Sequence, residues 1–397
     1  MEGFNSDGLF IDMKLNRIFT TPQLTGFNCR VLIQPRWFAI FMIWLGCLLA
    51  AMSNMPVGRS AVPKLPPVLN FDHSDHSDHS LPCSENPVHQ VSLATTTGLP
   101  KLASVRLSSA AAKTPTTKKW VAVCSTTQVA DFARQVTGDR WEVISVLAAG
   151  QDPHAYEVRS NDFWAVRRSD LCLQNGWNLE GNNWMVKLAN AAGKPLVSCI
   201  QGVTPLFFAD STKSLKGTNP HGFDPHAWFN PNNAMIYVEN IRQAVTQIDP
   251  EGEDFYRRRA DRYRLQLREL DCWIMQQVNA IPRQRRMLVT HHDAFEYFCE
   301  AYGFESYSPL GWSTGELVDV TIRKKQILVE KIKNSGVRAI FIETSVNPRL
   351  LQGIASEADV VIGGSLYSDA MGAEGSEAET YLGMMRHNVK IIVQHLK

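Results

Sequence analysis

Two copies of one short phrase, Asp-Pro-His-Ala followed by an aromatic residue, contain the histidines His154 and His226. Each proline fixes its own φ and disfavours helix in the residue before it, so each histidine sits on a restricted stretch of backbone. Such restraint suits a metal ligand, because distances between a metal and its ligands vary by only about 0.2 Å. One such segment alone is more typical of a turn with a surface histidine. The repetition favours a ligand at both positions.

Two further residues that can ligate a metal, His292 and Asp369, follow the ends of predicted strands. Glu343 lies at the end of another predicted strand. In open parallel sheets, ligands bind beyond the carboxyl ends of the strands. Three imidazoles and one carboxylate suit a divalent transition metal, zinc in particular. Any one of these residues alone could be a capping or hydrogen-bonding group, so the prediction depends on their joint placement.

Short apolar runs alternate with amphipathic segments from residue 118 onward. This alternation predicts β-α-β units with a mostly parallel sheet. In the first half we predict strands at 120–125, 141–147, 170–173 and 195–200, and helices at 128–136, 162–168, 183–191 and 231–248.

The longest predicted element is a helix over residues 251–280, with Asp249 as its N-cap and Pro250 at its first position. Apolar side chains recur along it every three or four residues and predict one buried stripe: Tyr256, Ala260, Tyr263, Leu267, Leu270, Ile274 and Val278. A coiled-coil partner is the alternative explanation, but the pattern ends at Pro282. We interpret this helix as a stiff connection between two lobes.

The second half repeats the alternation, with strands predicted at 286–290, 339–343 and 360–363, and helices at 291–301, 320–334, 347–357 and 378–396. The predicted fold class is therefore α/β, with two Rossmann-like lobes of mostly parallel sheet joined by one long rigid helix. The predicted boundaries are 118–248 for the first lobe, 249–281 for the connecting helix and 282–397 for the second lobe.

The N-terminal part has a different character. Residues 37–52 form an uncharged apolar run after two arginines, which is typical of a secretory signal, with an uncleaved anchor as the alternative over residues 1–56. Residues 57–117 are rich in Pro, Ser, Thr and Ala and predict a disordered tether. The tether includes His73, His76 and His79, which could hold metal loosely or could be a solvated repeat. We expect export, to the periplasm or the outer face of the cytoplasmic membrane.

Composition narrows the function classes. The 397 residues are enough for two domains, and the net charge of +1 argues against nucleic acid or an anionic membrane surface as a partner. The eight cysteines are scattered and form no C-x-x-C pair, so they predict neither a zinc ribbon nor a disulfide scaffold.

Residues 118–397 resemble a known family, the zinc- and manganese-binding solute-binding proteins of bacterial ABC importers. The resemblance rests on seven segments in the family's order: 150–157 (GQDPHAYE), 175–180 (NGWNLE), 224–228 (DPHAW), 292–298 (HDAFEYF), 311–314 (GWST), 341–344 (FIET) and 366–372 (LYSDAMG). It implies a monomer that is not an enzyme, with a divalent metal ion bound between two lobes as cargo for an ABC membrane permease.

Carried over position by position, the resemblance implies His154, His226, His292 and Asp369 as the metal ligands. The third position is His in some members and Glu in others that tend to bind manganese, so His292 favours zinc over manganese.

The resemblance also implies roles for neighbouring residues. Glu343 is expected beside the metal, either accepting a hydrogen bond from a ligand or holding a water. Asp152 and Asp224 are expected to cap their own loops, and His291 to point away along a helix.

Two departures from the family pattern bear on the metal. The stretch 207–220 has no histidine, whereas many zinc-specific members have a His-rich loop there, and the His-rich tract of this chain lies in the tether instead. Both departures weaken the choice of zinc. His221 is a possible accessory ligand, with a surface role as the alternative.

Two alternatives remain open from the sequence. A secreted zinc hydrolase would use Glu343 as general base, although four protein ligands would close the site and no H-E-x-x-H motif is present. A metal-binding adhesin or surface protein would leave the four residues dispensable.

Overall fold

The structure, a computed structural model, describes residues 119–207, 222–310 and 322–397. Several predicted features lie outside these ranges: the apolar segment 37–52, the tether 57–117 with its three histidines, the loop 208–220, His221, and the segment 311–314.

The first lobe alternates strands and helices as predicted. Its elements are β1 (Trp120–Cys124), α1 (Thr127–Thr137), β2 (Trp141–Ser145), α2 (Ser160–Arg168), β3 (Leu171–Gln174), α3 (Trp184–Ala192), β4 (Leu196–Ser198) and α4 (Pro231–Ile248). The four strands form one sheet in the order β2-β1-β3-β4, and every neighbouring pair is parallel. Crossover helices therefore place the carboxyl ends of all four strands at one edge.

Local sequence explains where these helices begin. Thr126 caps α1, its hydroxyl accepting a hydrogen bond from the backbone N–H of Val129. Asn230 caps α4 in the same way, and Pro231 follows at the first helical position. For this reason α4 begins at the predicted residue, and it also ends at the predicted Ile248.

The connecting helix α5 (Glu253–Val278) is 26 residues long, about 39 Å at helical rise. Its seven buried residues are the seven of the predicted apolar stripe. They face the first lobe's α1 and α4 and also α9 of the second lobe (Tyr381–Leu396). This one helix thus packs against both halves.

The predicted N-cap is wrong for α5 itself, whose N-cap position is Gly252, although Asp249 holds that position in the turn that leads into α5. A 3-10 turn, Pro250–Gly252, precedes α5, and the Asp249 side chain caps neither element. Its carboxylate instead accepts hydrogen bonds from Arg140, with Nη2 to Oδ2 2.6 Å, and from the Tyr256 hydroxyl. The carboxylate therefore bonds to a residue 109 positions away in the sequence and does not accept from the N–H groups at the start of the helix.

The second lobe contains β5 (Met287–Val289), α6 (Glu296–Tyr302), β6 (Glu305–Tyr307), α7 (Ile322–Ser335), β7 (Ala339–Glu343), α8 (Arg349–Ala358), β8 (Val361–Leu366) and α9. Strands β5 and β6 pair in parallel, as do β7 and β8. Strand β6 was not predicted, and β8 continues three residues beyond its predicted end, through a Gly-Gly pair. Helix α6 begins later than predicted because residues 291–295 form a loop.

One hydrophobic cluster includes residues of both lobes and the connecting helix, among them Ala122 of β1, Leu267 of α5 and Ile340 of β7. A smaller cluster lies on the other face of the first sheet, around Val123, Cys172 and Met185. Within the described ranges, no helix combines the length and the apolar character that crossing a bilayer requires. The α/β fold class with parallel sheets and a long connecting helix is confirmed.

Candidate metal centre

Four side chains from the two lobes meet at one point: His154, His226, His292 and Asp369. Each offers one ligand atom, and these atoms all lie within 4.8 Å of one another. The side chains are at most 1% exposed. The Nε2 atoms of His154 and His226 are 3.2 Å apart, and His154 Nε2 lies 3.9 Å from Asp369 Oδ1. Ligands about 2.0–2.1 Å from a tetrahedral ion are about 3.3 Å apart, so the cluster has the dimensions of a four-coordinate site.

His154 lies in the loop after β2, and its backbone is held on two sides. The N–H of His154 donates to Asp152 Oδ1 over 2.8 Å, which closes the turn. The carbonyl of Pro153 accepts from the Gly181 N–H and from the Trp184 indole N–H. Gly181 is needed here, because a Cβ at this position would lie 1.9 Å from the carbonyl oxygen of His154.

His226 lies in the second Asp-Pro-His loop, directly before α4. Asp224 Oδ1 accepts from the backbone N–H of His226 and lies 2.7 Å from its ring Nδ1. The carboxylate therefore favours the tautomer with the proton on Nδ1, which leaves the Nε2 lone pair for the cluster. Asn175 fixes the loop by donating from Nδ2 to the carbonyl of Pro225, and Tyr237 in turn donates to Asn175 Oδ1.

His292 follows β5 and has a similar partner. Glu343, the last residue of β7, places Oε2 2.7 Å from His292 Nδ1. Its Oε1 accepts from the backbone N–H groups of His291 and His292. Glu343 thereby sets both the backbone and the ring of His292, with Nε2 3.3 Å from Asp369 Oδ2.

His291 lies in the loop before α6, so the expectation that it points away along a helix is wrong. It is fully buried, and its Nδ1 accepts a hydrogen bond from the backbone N–H of Glu343. This contact ties the end of β5 to the end of β7. His291 is not one of the four residues of the cluster.

The pKa of each ionisable group in the cluster depends on the charges of the others and on burial. Burial lowers the pKa of His154 to about 3, so this imidazole is neutral. Burial also opposes charge on His292, but Glu343 and Asp369 outweigh it and raise the pKa of His292. For Asp369, the three imidazoles outweigh burial and hold the pKa of the carboxyl well below its ordinary value. The buried carboxylates thus require positive charge, which a divalent cation supplies.

The structure places each predicted site residue. His154, His226, His292 and Asp369 converge, while Asp152, Asp224 and Glu343 each contact the backbone or ring of a histidine of the cluster. Asn175 and Gly181 have no role predicted from the sequence, although Asn175 belongs to the segment 175–180 that resembles the family. These two residues hold both Asp-Pro-His loops.

Comparisons with known proteins identify the family of the chain. A family model described as ZnuA, zinc-uptake complex component A periplasmic, matches residues 122–395. The manganese-binding lipoprotein MntA of Halalkalibacterium halodurans is 34% identical over 275 residues, which cover 69% of this chain and 87% of that protein. The manganese ABC transporter substrate-binding lipoprotein PsaA of Streptococcus pneumoniae is 33% identical over 275 residues, with coverage of 68% and 86%.

Two solved structures that match this chain are also metal-binding proteins. The periplasmic zinc-binding protein TroA from Treponema pallidum matches with a TM-score of 0.64 and 29% identity, covering 70% of this chain and 99% of that one. An Mn-bound periplasmic metal-binding protein from Candidatus Liberibacter asiaticus matches with a TM-score of 0.62 and 26% identity, covering 70% of this chain and 100% of that one. The family model describes a zinc-uptake component and PsaA is named as an ABC transporter substrate-binding lipoprotein, so members of this family are transport proteins and not enzymes. The chain therefore belongs to the ZnuA family, the extracytoplasmic substrate-binding proteins of ABC metal importers.

Proposed function

We propose that this protein captures a divalent transition metal outside the cytoplasm with His154, His226, His292 and Asp369, and delivers it to an ABC membrane permease. The observation that supports the proposal is the buried cluster of four ligand atoms within 4.8 Å. Two lobes each contribute two ligands, so a bound ion would link them. We further propose that the protein acts as a monomer.

The three imidazoles would coordinate through Nε2 and Asp369 through a carboxylate oxygen. Asp224 and Glu343 would accept hydrogen bonds from the Nδ1 atoms of His226 and His292, which keeps the proton on Nδ1 and leaves Nε2 for the ion. Asp152 would hold the His154 loop closed. Four protein ligands leave little room for a reactive water, which suits a cargo site better than a catalytic one.

The donor set favours zinc over manganese. Three nitrogen ligands and ligand atoms within 4.8 Å of one another suit a four-coordinate ion, whereas manganese favours oxygen ligands and higher coordination. Two relatives are named as manganese-binding, so any test has to compare both metals.

Calorimetric titration with Zn²⁺ and with Mn²⁺ tests the proposal, combined with elemental analysis of protein purified from its native host. We expect one ion per chain, tighter binding of zinc, and zinc in the native protein. His226→Ala should abolish tight binding. The matched control is His395→Ala in the last turn of α9, which should not affect the titration. Full binding by His226→Ala would refute the assignment of the site, and manganese in the native protein would refute the choice of metal.

A further inference from the structure

Asp369 is held in the cluster through its loop backbone. Its carboxylate oxygens are buried, and apart from the three imidazoles they meet no hydrogen-bond donor among the described residues. The position of this ligand therefore depends on what fixes the loop between β8 and α9, where Ser368 and Met371 flank it. Asn388 of α9 holds the start of this loop by bonding the backbone N–H and carbonyl of Tyr367.

The two side chains that contact the loop backbone on either side of Asp369 come from the other lobe. Gln128, in the first turn of α1, donates from Nε2 to the carbonyl of Ser368 over 3.0 Å, and this contact is buried. Thr127, the neighbouring residue, accepts at Oγ1 from the backbone N–H of Met371 over 2.9 Å. The two contacts bracket Asp369, one residue before it and two residues after it.

The two side chains also orient each other. The Thr127 hydroxyl donates to Gln128 Oε1 over 3.0 Å, so the amide oxygen is engaged and the amide nitrogen faces Ser368. One continuous chain of hydrogen bonds thus runs from Met371 through Thr127 and Gln128 to Ser368. One turn further along α1, Asp131 accepts from the backbone N–H of Tyr381 at the start of α9.

We propose that Thr127 and Gln128 form an interlobe latch that holds Asp369 in the metal site, and that opening this latch is the step that lets the ion leave. The proposal rests on the proposed function of the cluster as a cargo site. Neither residue touches the ion, so both are positioning residues. Their effect is transmitted through the backbone on either side of Asp369.

Release of bound Zn²⁺ to an excess of a chromogenic chelator, followed by stopped flow, tests the latch. Thr127→Val and Gln128→Met each keep the side-chain volume and remove the hydrogen bonds, and each should speed release about tenfold. Thr127→Ser keeps the hydroxyl and should release zinc at the wild-type rate. The matched control is Gln243→Met on α4, where the amide hydrogen-bonds to Glu239 within its own helix and release should not change.

A double-mutant cycle separates the latch from a general loss of stability. With Asp369→Ala already present, Gln128→Met should change the zinc release rate by less than about twofold, in place of the tenfold change in the wild-type background, because the ligand that the latch positions is gone. An equal effect in both backgrounds would overturn the proposal, as would wild-type release rates in folded Thr127→Val and Gln128→Met. Wild-type protein that binds neither zinc nor manganese would instead overturn the proposed function itself.

Discussion

Replacing Glu343 by Gln removes one charge behind the metal site and leaves its shape unchanged. The Gln oxygen can still accept from the backbone N–H groups of His291 and His292, at 2.7 and 3.1 Å in the native protein. The Gln amino group then faces His292 Nδ1 in place of the carboxylate oxygen at 2.7 Å. This favours a proton on His292 Nε2, the atom that the ion needs. Replacing a residue that hydrogen-bonds to a metal ligand lowers metal affinity about 10- to 100-fold, which corresponds to about 1.4–2.7 kcal/mol of binding free energy.

Competition of the protein with a chelator of known zinc affinity measures this change. The control is Glu357→Gln, which removes a surface ion pair with Lys325 and should leave affinity within about twofold. Circular dichroism should show the Glu343→Gln variant folded, since its backbone contacts are retained. Unchanged zinc affinity in the folded variant would refute the reasoning that Glu343 sets the protonation of His292.

Three further predictions concern the fold and its motion. Burial and the nearby Asp293 and Asp224 raise the pKa of Glu296 from 4.5 to about 7, so the folded state binds a proton that the unfolded state releases, and stability falls as pH rises from about 4.5 to 7. Glu296→Gln should therefore raise the free energy of unfolding at pH 8 by at most about 3 kcal/mol and leave it unchanged near pH 4; an equal gain at both pH values in urea titrations would contradict this. Leu267→Ala on the buried face of α5 should cost about 2–5 kcal/mol in the same titrations, against almost nothing for the exposed Leu265→Ala. Because α5 has no Gly or Pro from residue 253 to 278, zinc should change the radius of gyration in X-ray scattering only slightly, and a large compaction would exclude a stiff connection.

The parts of the fold that local sequence determines were predicted well. Helix α4 has its own cap in Asn230 and Pro231, and the buried stripe of α5 follows directly from the spacing of its apolar residues. Strand β6 was missed because its three residues, Glu305–Tyr307, have neither an apolar run nor an alternating pattern. Its pairing with β5 is a tertiary contact that no local pattern reveals. The predicted domain boundaries remain a prediction.

The metal site, too, has residues that local motifs predict and contacts that they do not. Its four central residues were predicted from short motifs, because the Asp-Pro-His phrases and the ends of strands are visible in the sequence. The contacts behind them depend on residues far apart in the chain: Asn175 reaches Pro225 across 50 positions, and Gln128 reaches Ser368 across 240. At Asp249 the local pattern is misleading, because its sequence context predicts a helix cap but its carboxylate forms an ion pair with the distant Arg140.

The most direct measurement is anomalous diffraction from crystals of the protein loaded with Zn²⁺, with data collected on both sides of the zinc absorption edge. We predict one anomalous peak per chain, about 2.0–2.2 Å from the Nε2 atoms of His154, His226 and His292 and from a carboxylate oxygen of Asp369. A peak held by other residues, or no peak among these four, would contradict the account.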